Sequence, residues 1–171
     1  MIDTLFALAM LLGGQEEPNP IAPALAGKLQ CVSPNRERRT CSSLTTFTAQ
    51  PGGGYLAAMT QAISSEPPIL METRIVATIE GDAVCTTVRL ADFAAARFTS
   101  GGKPLDARTA KAAGDHVRKA MRQYEGKRAC SHFAPDGDMF SVRATVDGGA
   151  PGPVSRFIWV DPGEGYTVAP N

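Results

Sequence analysis

The stretch from Asp106 to Gly126, DARTAKAAGDHVRKAMRQYEG, carries the one long helical pattern in the chain and decides its fold class. Asp106 is a natural N-cap, because its carboxylate can accept the free amide protons of the first turn. Gly126 suits the left-handed position that closes a helix. Apolar residues recur at steps of three and four, and they are Ala110, Ala113, Val117, Ala120, Met121 and Tyr124. This spacing predicts one amphipathic helix with a flat, alanine-rich buried face.

Runs of alternating apolar and polar residues surround this helix and predict strands. The clearest hairpin spans residues 69–90 and turns at Gly81-Asp82. The predicted pairs on one face are Ile79–Val84, Ala77–Thr86, Ile75–Val88 and Thr73–Leu90. On the other face this register opposes Arg74 to Arg89, two like charges that need an anion or a carboxylate between them.

A second predicted hairpin joins residues 128–134 to residues 139–147 through the turn 135–138. Closing that turn opposes Phe133 to Phe140 on one face. On the other face it opposes His132 to Ser141.

The helix and the strands together predict the architecture. The run from Val154 to Val160 is apolar on both faces, which predicts a central strand covered on both sides, under the helix. Since a helix packs on one face of a sheet, the fold is predicted as α+β. It has a largely antiparallel sheet of about six to eight strands with one long helix packed on it. The length of 171 residues fits a single domain, placed at residues 27–171.

Residues 1–26 have the pattern of a secretory signal peptide and a flexible start. A short apolar run from Thr4 to Leu12 precedes Gly13-Gly14 and a polar, proline-rich segment. Ala24-Leu25-Ala26 is a small-x-small cleavage site, and cleavage near Gly13-Gly14 is the alternative. Because no base precedes the run, an N-terminal helix that is retained is the other interpretation. Export predicts a periplasmic or secreted protein.

Cysteine usage favours export as well. The chain has four cysteines, and none of their spacings is typical of a zinc pair or a CxxC redox motif. Cys31 and Cys41 flank a short loop, and Cys85 and Cys130 flank the helix. These positions predict the disulfides Cys31–Cys41 and Cys85–Cys130. In the chain-entropy treatment they contribute about 2.7 and about 4 kcal/mol.

The net charge and the lengths of the apolar runs argue against two classes of protein, nucleic-acid-binding proteins and integral membrane proteins. The formal net charge is zero, which argues against nucleic acid as a partner. No apolar run reaches the length that crosses a bilayer, so an integral membrane protein is not expected.

Several segments also resemble a known group of proteins. The spaced Cys31, Pro34 and Cys41, the strand at Val84-Cys85 and the ending IWVDPGEGYTVAP are similar to those of uncharacterised exported proteins from alphaproteobacteria. The resemblance covers most of the chain after residue 26. It implies export and disulfide bonds, and it carries over no activity and no site residue.

The loop 31–41 is the best candidate for a binding site. A loop closed by a disulfide is pre-organised, which lowers the cost of binding. It carries Arg36, Arg38 and Arg39, and arginine suits carboxylate and phosphate partners. The predicted partner is an anionic component of the cell envelope or another protein. Two alternatives are a solvated loop partly neutralised by Glu37 and a protease inhibitor that presents an arginine.

Arg74, Arg89 and His132 are a second candidate set for ligand binding. We expect them to line an open cavity if the sheet face away from the helix is not filled.

A catalytic alternative rests on His132 and Ser141, with Asp136 and Asp138 in the adjoining turn. No strained nucleophile turn and no glycine-rich oxyanion loop accompany them, so a hydrolase is the weaker hypothesis. His116 lies on the flank of the helix, and no Asp, Glu and His spacing indicates a metal site. Neither a metal nor a cofactor is predicted. The sequence therefore predicts a small, exported, disulfide-stabilised binding or accessory protein whose ligand it does not identify.

Overall fold

The structure is a computed structural model that describes residues 19–170. The apolar run and the glycine pair of the predicted signal peptide lie outside the described residues. None of the described helices is both long enough and apolar enough to cross a membrane.

Strands dominate the described part of the chain. They are β1 (Leu29–Val32), β2 (Thr40–Cys41), β3 (Ser43–Ala49), β4 (Tyr55–Ser65), β5 (Pro68–Glu80), β6 (Ala83–Thr87), β7 (Arg97–Ser100), β8 (Lys103–Pro104), β9 (Arg128–Asp136), β10 (Met139–Val146), β11 (Ser155–Val160) and β12 (Thr167–Val168). The α-helices are α1 (Ala22–Leu25), α2 (Leu90–Ala94) and α3 (Ala107–Met121), and α3 runs on into a 3-10 turn at Arg122–Tyr124.

Eight of these strands form a closed barrel. Their order is β4-β3-β1-β11-β10-β9-β6-β5, and the pairing of β4 with β5 closes the ring. All eight pairings are antiparallel. The prediction of a largely antiparallel sheet with a packed helix is therefore correct, but the sheet is a closed barrel and not an open sheet. Closure leaves no free sheet edge in the barrel and encloses one face of the sheet.

The long strand β5 joins the barrel to the helical region. Along one edge it pairs with β4. Along the other edge it pairs with β6 near its end and with β7 near its start, at Leu70–Glu72. The first hairpin is therefore predicted correctly only next to its turn, where Ile79 opposes Val84. Beyond Cys85 the strand β6 continues against β9 alone, so the predicted pair Thr73–Leu90 is wrong.

The predicted helix is present and begins where the sequence places it. The carboxylate of Asp106 accepts the amide protons of Arg108 and Thr109, both at 3.0 Å. The hydroxyl of Thr109 donates to the same carboxylate at 2.7 Å, and this bond is the main reason why the pKa of Asp106 is lowered. Gly126 has a φ of 74°, the left-handed geometry predicted for the end of the helical stretch.

Helix α3 packs at one end of the barrel, which we call the lower end, and not across an open sheet. Its apolar face meets a cluster around Met71 and Phe98, on β5 and β7. The helical residues in this cluster are Ala110, Ala113, Val117 and Met121, with Tyr124 from the 3-10 turn. Strand β11 is not part of this cluster, so the prediction that it lies under the helix is wrong.

Helix α1 closes the opposite, upper end. Ile21 is fully buried and Ala24 is 6% exposed, and they pack with Phe47, Phe133 and Trp159 from three strands. The predicted domain boundary at residue 27 leaves these two residues outside the domain, whereas in the structure they belong to its core. Residues 19–26 are therefore part of the fold.

The second hairpin has a different register from the predicted one. Asp136 pairs with Met139, so the loop contains only Gly137 and Asp138. Gly137 has a φ of 64°, as the first position of a tight two-residue hairpin loop requires. The whole ladder shifts by two residues, which keeps every side chain on its predicted face but changes its partner.

Both predicted disulfides are present. Cys31–Cys41 fastens the loop between β1 and β3 to the outside of the barrel, where it packs with Val160 and Tyr166. Cys85–Cys130 links directly opposed residues of β6 and β9.

Candidate functional site in the barrel interior

The barrel encloses a cavity of about 350 Å³. Because side chains alternate along a strand, the inward-facing residues of the eight strands supply most of its lining. The lining comprises Gln30, Val32, Ser43, Thr45, Phe47, Ala57, Met59, Ile75, Ala77, Val84, Cys85, Thr86, Ala129, Ser131, Phe133, Val142, Ala144, Pro153 and Ser155. All eight barrel strands contribute, so the cavity is a product of closure.

The lining of this cavity is neutral. Charged residues make up 20% of the chain, yet no Asp, Glu, Lys, Arg or His is among the described lining residues. Most of the lining is aliphatic or aromatic. Small side chains at Ala57, Ala77, Ala129 and Ala144 leave the space that larger residues would fill. A neutral, mainly apolar interior of this size falls at the lower end of the range of small-molecule sites.

Among the described lining residues, three polar side chains come from β1 and β3 (Gln30, Ser43 and Thr45), and three come from β6, β9 and β11 (Thr86, Ser131 and Ser155). Gln30, Ser43 and Thr45 are 7%, 8% and 6% exposed. None of these three side chains has a hydrogen bond to another described residue. Buried polar groups are normally hydrogen-bonded, so these three are available to a molecule inside the barrel.

Strand pairing arranges these groups in a row. Gln30 opposes Thr45, Thr45 opposes Met59, and Met59 opposes Thr73. Thr73 is 2% exposed, and its hydroxyl is buried without a hydrogen-bond partner among the described residues. Thr73 is not among the residues that line the cavity, so we call Gln30, Ser43 and Thr45 the polar row. The opposite wall carries Val84, Phe133 and Val142 together with Thr86 and Ser131.

The cavity is open toward the lower end. Ala144 faces inward and is nevertheless exposed, so solvent reaches this part of the wall. Among the lining residues that the structure describes, Pro153 is the one outside the strands, and it lies in the loop between β10 and β11. The upper end, by contrast, is filled by α1 and by a cluster of aromatic rings around Phe157.

A second concave surface lies outside the barrel. It is an open groove of about 1120 Å³ between the disulfide-closed loop and the hairpin of β9 and β10. Arg38, Arg143 and Arg156 line it together with Asp136. Arg156 pairs with Asp136 at 2.7 Å, so one of the three cations is locally balanced. We call this surface the arginine groove.

The other two arginines of the predicted loop site are held by the protein itself. Arg36 Nη1 lies 2.6 Å from Asp138 Oδ2, and its hydrogen bond and charge lower the pKa of Asp138. Arg39 donates to the carbonyl of Glu164 at 3.2 Å. Of the three predicted residues, Arg38 is the one that lines the groove.

Arg74, Arg89 and His132 are not brought together. Arg74 lies 3.8 Å from Glu72, and Arg89 lies 3.0 Å from Asp92. The predicted opposition of Arg74 to Arg89 is therefore wrong, because β6 has left β5 before Arg89 is reached. His132 Nδ1 is 3.4 Å from Asp82, on the outer surface. A cavity is present inside the barrel, and Arg74, Arg89 and His132 are not among its described lining residues.

The structure also separates the residues of the catalytic alternative. His132 opposes Arg143, and Ser141 opposes Ala134, whose carbonyl accepts from its hydroxyl at 3.4 Å. The two ring nitrogens of His132 lie 3.4 Å from Asp82 and 3.4 Å from the hydroxyl of Thr145, and not within hydrogen-bond distance of Ser141. The predicted opposition of His132 to Ser141 is wrong, so these two residues do not form a nucleophile and its base.

One group of possible metal ligands occurs among the described residues. It consists of Glu80, Cys85 and Cys130. Both sulfurs belong to a disulfide and are not thiolates, so this group offers one carboxylate only.

Sequence reasoning missed the polar row and the neutral lining. The signal that could have found them is the phase of strand β3. Ser43, Thr45 and Phe47 alternate on one face, and Phe47 is buried. A buried aromatic residue in phase with small polar residues indicates that the polar ones point inward too.

Comparisons of the chain with protein-family models, with curated proteins and with solved structures find no match.

Proposed function

We propose that this protein binds a small, mainly apolar molecule inside its barrel. The observation that supports the proposal is the neutral cavity of about 350 Å³, lined from all eight strands and open at one end. An eight-stranded barrel can be filled by its own side chains or can hold one small ligand. Here the small residues at Ala57, Ala129 and Ala144 face the centre, which favours the second use.

Filling the cavity tests this proposal. Ala144→Phe places an aromatic ring where solvent now reaches the wall. We expect it to lower the affinity for the neutral dye N-phenyl-1-naphthylamine by about tenfold or more, which corresponds to about 1.4 kcal/mol or more of lost binding. Dye fluorescence measures the affinity, and the melting temperature reports whether the variant is folded.

Ala134→Phe is the matched control, since Ala134 is exposed on the outer face of the neighbouring strand. It should leave dye binding unchanged. If the wild-type protein does not bind the dye, or if both variants bind it equally well, the barrel interior is not a binding site.

The arginine groove supports a second candidate function. Its lining contains three arginines and one aspartate, which favours an anionic partner. We propose that an anionic component of the cell envelope binds there, with Arg38 and Arg143 as the contacting cations. The protease-inhibitor alternative for this loop stays a prediction.

We also infer that the protein is exported and cleaved before Asn19. Two disulfides are typical of oxidising compartments, and the resemblance to exported alphaproteobacterial proteins agrees with this. Cleavage after Ala26 would remove Ile21 and Ala24 from the core, which favours the site near Gly13-Gly14. N-terminal sequencing of the protein from a periplasmic extract should begin at or before Asn19, and a start at Gly27 would contradict this inference.

A further inference from the structure

The side chains inside the barrel restrict the chemistry of the ligand. This inference rests on the proposed binding in the cavity and goes one step further. We infer that the ligand is a neutral amphiphile, whose hydrogen-bonding end meets the polar row and whose apolar body lies against the opposite wall.

The described lining of the cavity offers no countercharge to an ion. A carboxylate or an ammonium group inside the barrel would lose its hydration and would find no charged partner among the described lining residues. Burial of an unpaired charge is far more costly than burial of a neutral polar group. The cavity therefore disfavours fatty acids and amines as ligands.

The lining also contains hydrogen-bonding groups that no described residue uses. The carboxamide of Gln30 carries a donor and an acceptor, and the hydroxyl of Thr45 can act as either. Both side chains are more than nine-tenths buried, lie opposite each other on paired strands and have no hydrogen-bond partner among the described residues. A purely hydrocarbon ligand would leave these groups without a partner, and an amide or alcohol would not.

The two sides of the cavity differ in their hydrogen-bonding groups. The polar row lies on β1 and β3, whereas the opposite wall, from β6, β9 and β10, has mainly apolar side chains together with Thr86 and Ser131. Because the hydroxyl of Thr86 already donates to the carbonyl of Val76 at 2.8 Å, a ligand with a polar end and an apolar body matches this lining. The cavity holds roughly the volume of a dozen water molecules, which limits the ligand to one small molecule.

A matched series of eight-carbon probes tests this inference. Octanamide, octanoate and octane differ at one end only, and each can be measured by displacement of N-phenyl-1-naphthylamine at pH 8. We expect octanamide to displace the dye at a concentration about tenfold or more below that of octanoate. We expect octanamide to displace the dye at a concentration roughly three- to tenfold below that of octane.

Two near-isosteric substitutions locate the polar end. Thr45→Val and Gln30→Met remove hydrogen-bonding groups and keep the volume. With the affinity for the dye measured in each variant, each substitution should weaken octanamide by roughly three- to tenfold relative to octane, because octane forms no hydrogen bond with these side chains. Thr46→Val is the control, because Thr46 is exposed on the outer face of the same strand.

The outcomes separate this inference from the proposed function. If the dye does not bind the wild-type protein, both fail. If the dye binds and Ala144→Phe abolishes its binding, but octanoate matches octanamide, the inference alone is overturned. It is also overturned if Thr45→Val and Gln30→Met leave octanamide binding unchanged.

Discussion

The barrel wall separates two concave surfaces of opposite chemistry. The cavity has a neutral lining, and the arginine groove has three arginines and one aspartate. Strand β10 contributes to both, with Val142 and Ala144 inside and Ser141 and Arg143 outside. One strand therefore contributes to two surfaces of opposite chemistry, and the parity of a residue's position decides which of the two surfaces it lines.

Removal of the disulfide Cys85–Cys130 is the strongest test of this comparison. The double variant Cys85→Ala/Cys130→Ala should lower the melting temperature by roughly 8–16 °C, since the closure contributes about 4 kcal/mol. Because this disulfide joins two barrel strands, we expect dye binding to weaken as well. Calorimetry and dye titration on the same sample measure both effects.

The other disulfide provides the matched control. Cys31→Ala/Cys41→Ala should lower the melting temperature by roughly 5–11 °C, from a contribution of about 2.7 kcal/mol. The disulfide fastens the loop that forms one wall of the arginine groove, so dye binding should survive. Equal loss of dye binding in both double variants would show that the cavity and the groove are not independent.

Removal of one groove cation is the mildest test. Arg38→Ala should weaken binding to vesicles that contain an anionic phospholipid by about fivefold, the effect of roughly one unpaired surface cation. The melting temperature and dye binding should not change, because Arg38 is exposed and lies outside the barrel. A flotation assay at low and at high salt measures the effect.

Arg108→Ala is the control for this test, since Arg108 is exposed on α3, away from the groove. An equal loss of vesicle binding in both variants would show that binding depends on general surface charge and not on the arginine groove.

Local features of the fold could be predicted from the sequence, because their causes are local. Asp106 caps a helix through its own carboxylate, and Gly81 supplies the left-handed position of a hairpin loop. Cys31 and Cys41 flank a short loop, which made their pairing the simplest closure. In each case the residues that determine the feature lie close together in the chain.

Closure of the barrel could not be predicted in this way. It depends on the pairing of Leu29–Val32 with Ser155–Val160, strands from opposite ends of the described chain. A period of two shows which residues share a face and does not show which strand lies alongside. The same ambiguity applies to the candidate site. Ser43 and Thr45 are small polar residues, which in an open sheet are expected to face solvent, and only closure of the barrel places them inside.

The polar row also has a consequence for how binding preference is encoded. Two of its members, Gln30 and Thr45, belong to a line of paired residues that crosses four strands and continues through Met59 to Thr73. These four positions are separated in the chain by 15, 14 and 14 residues (45 − 30, 59 − 45 and 73 − 59). Each strand and turn carries the chain back to the same height in the barrel. Gln30, Thr45 and Met59 line the cavity, so under the proposed function a combinatorial library at these three codons would vary the ligand preference while the hydrogen-bonded ladder stays intact.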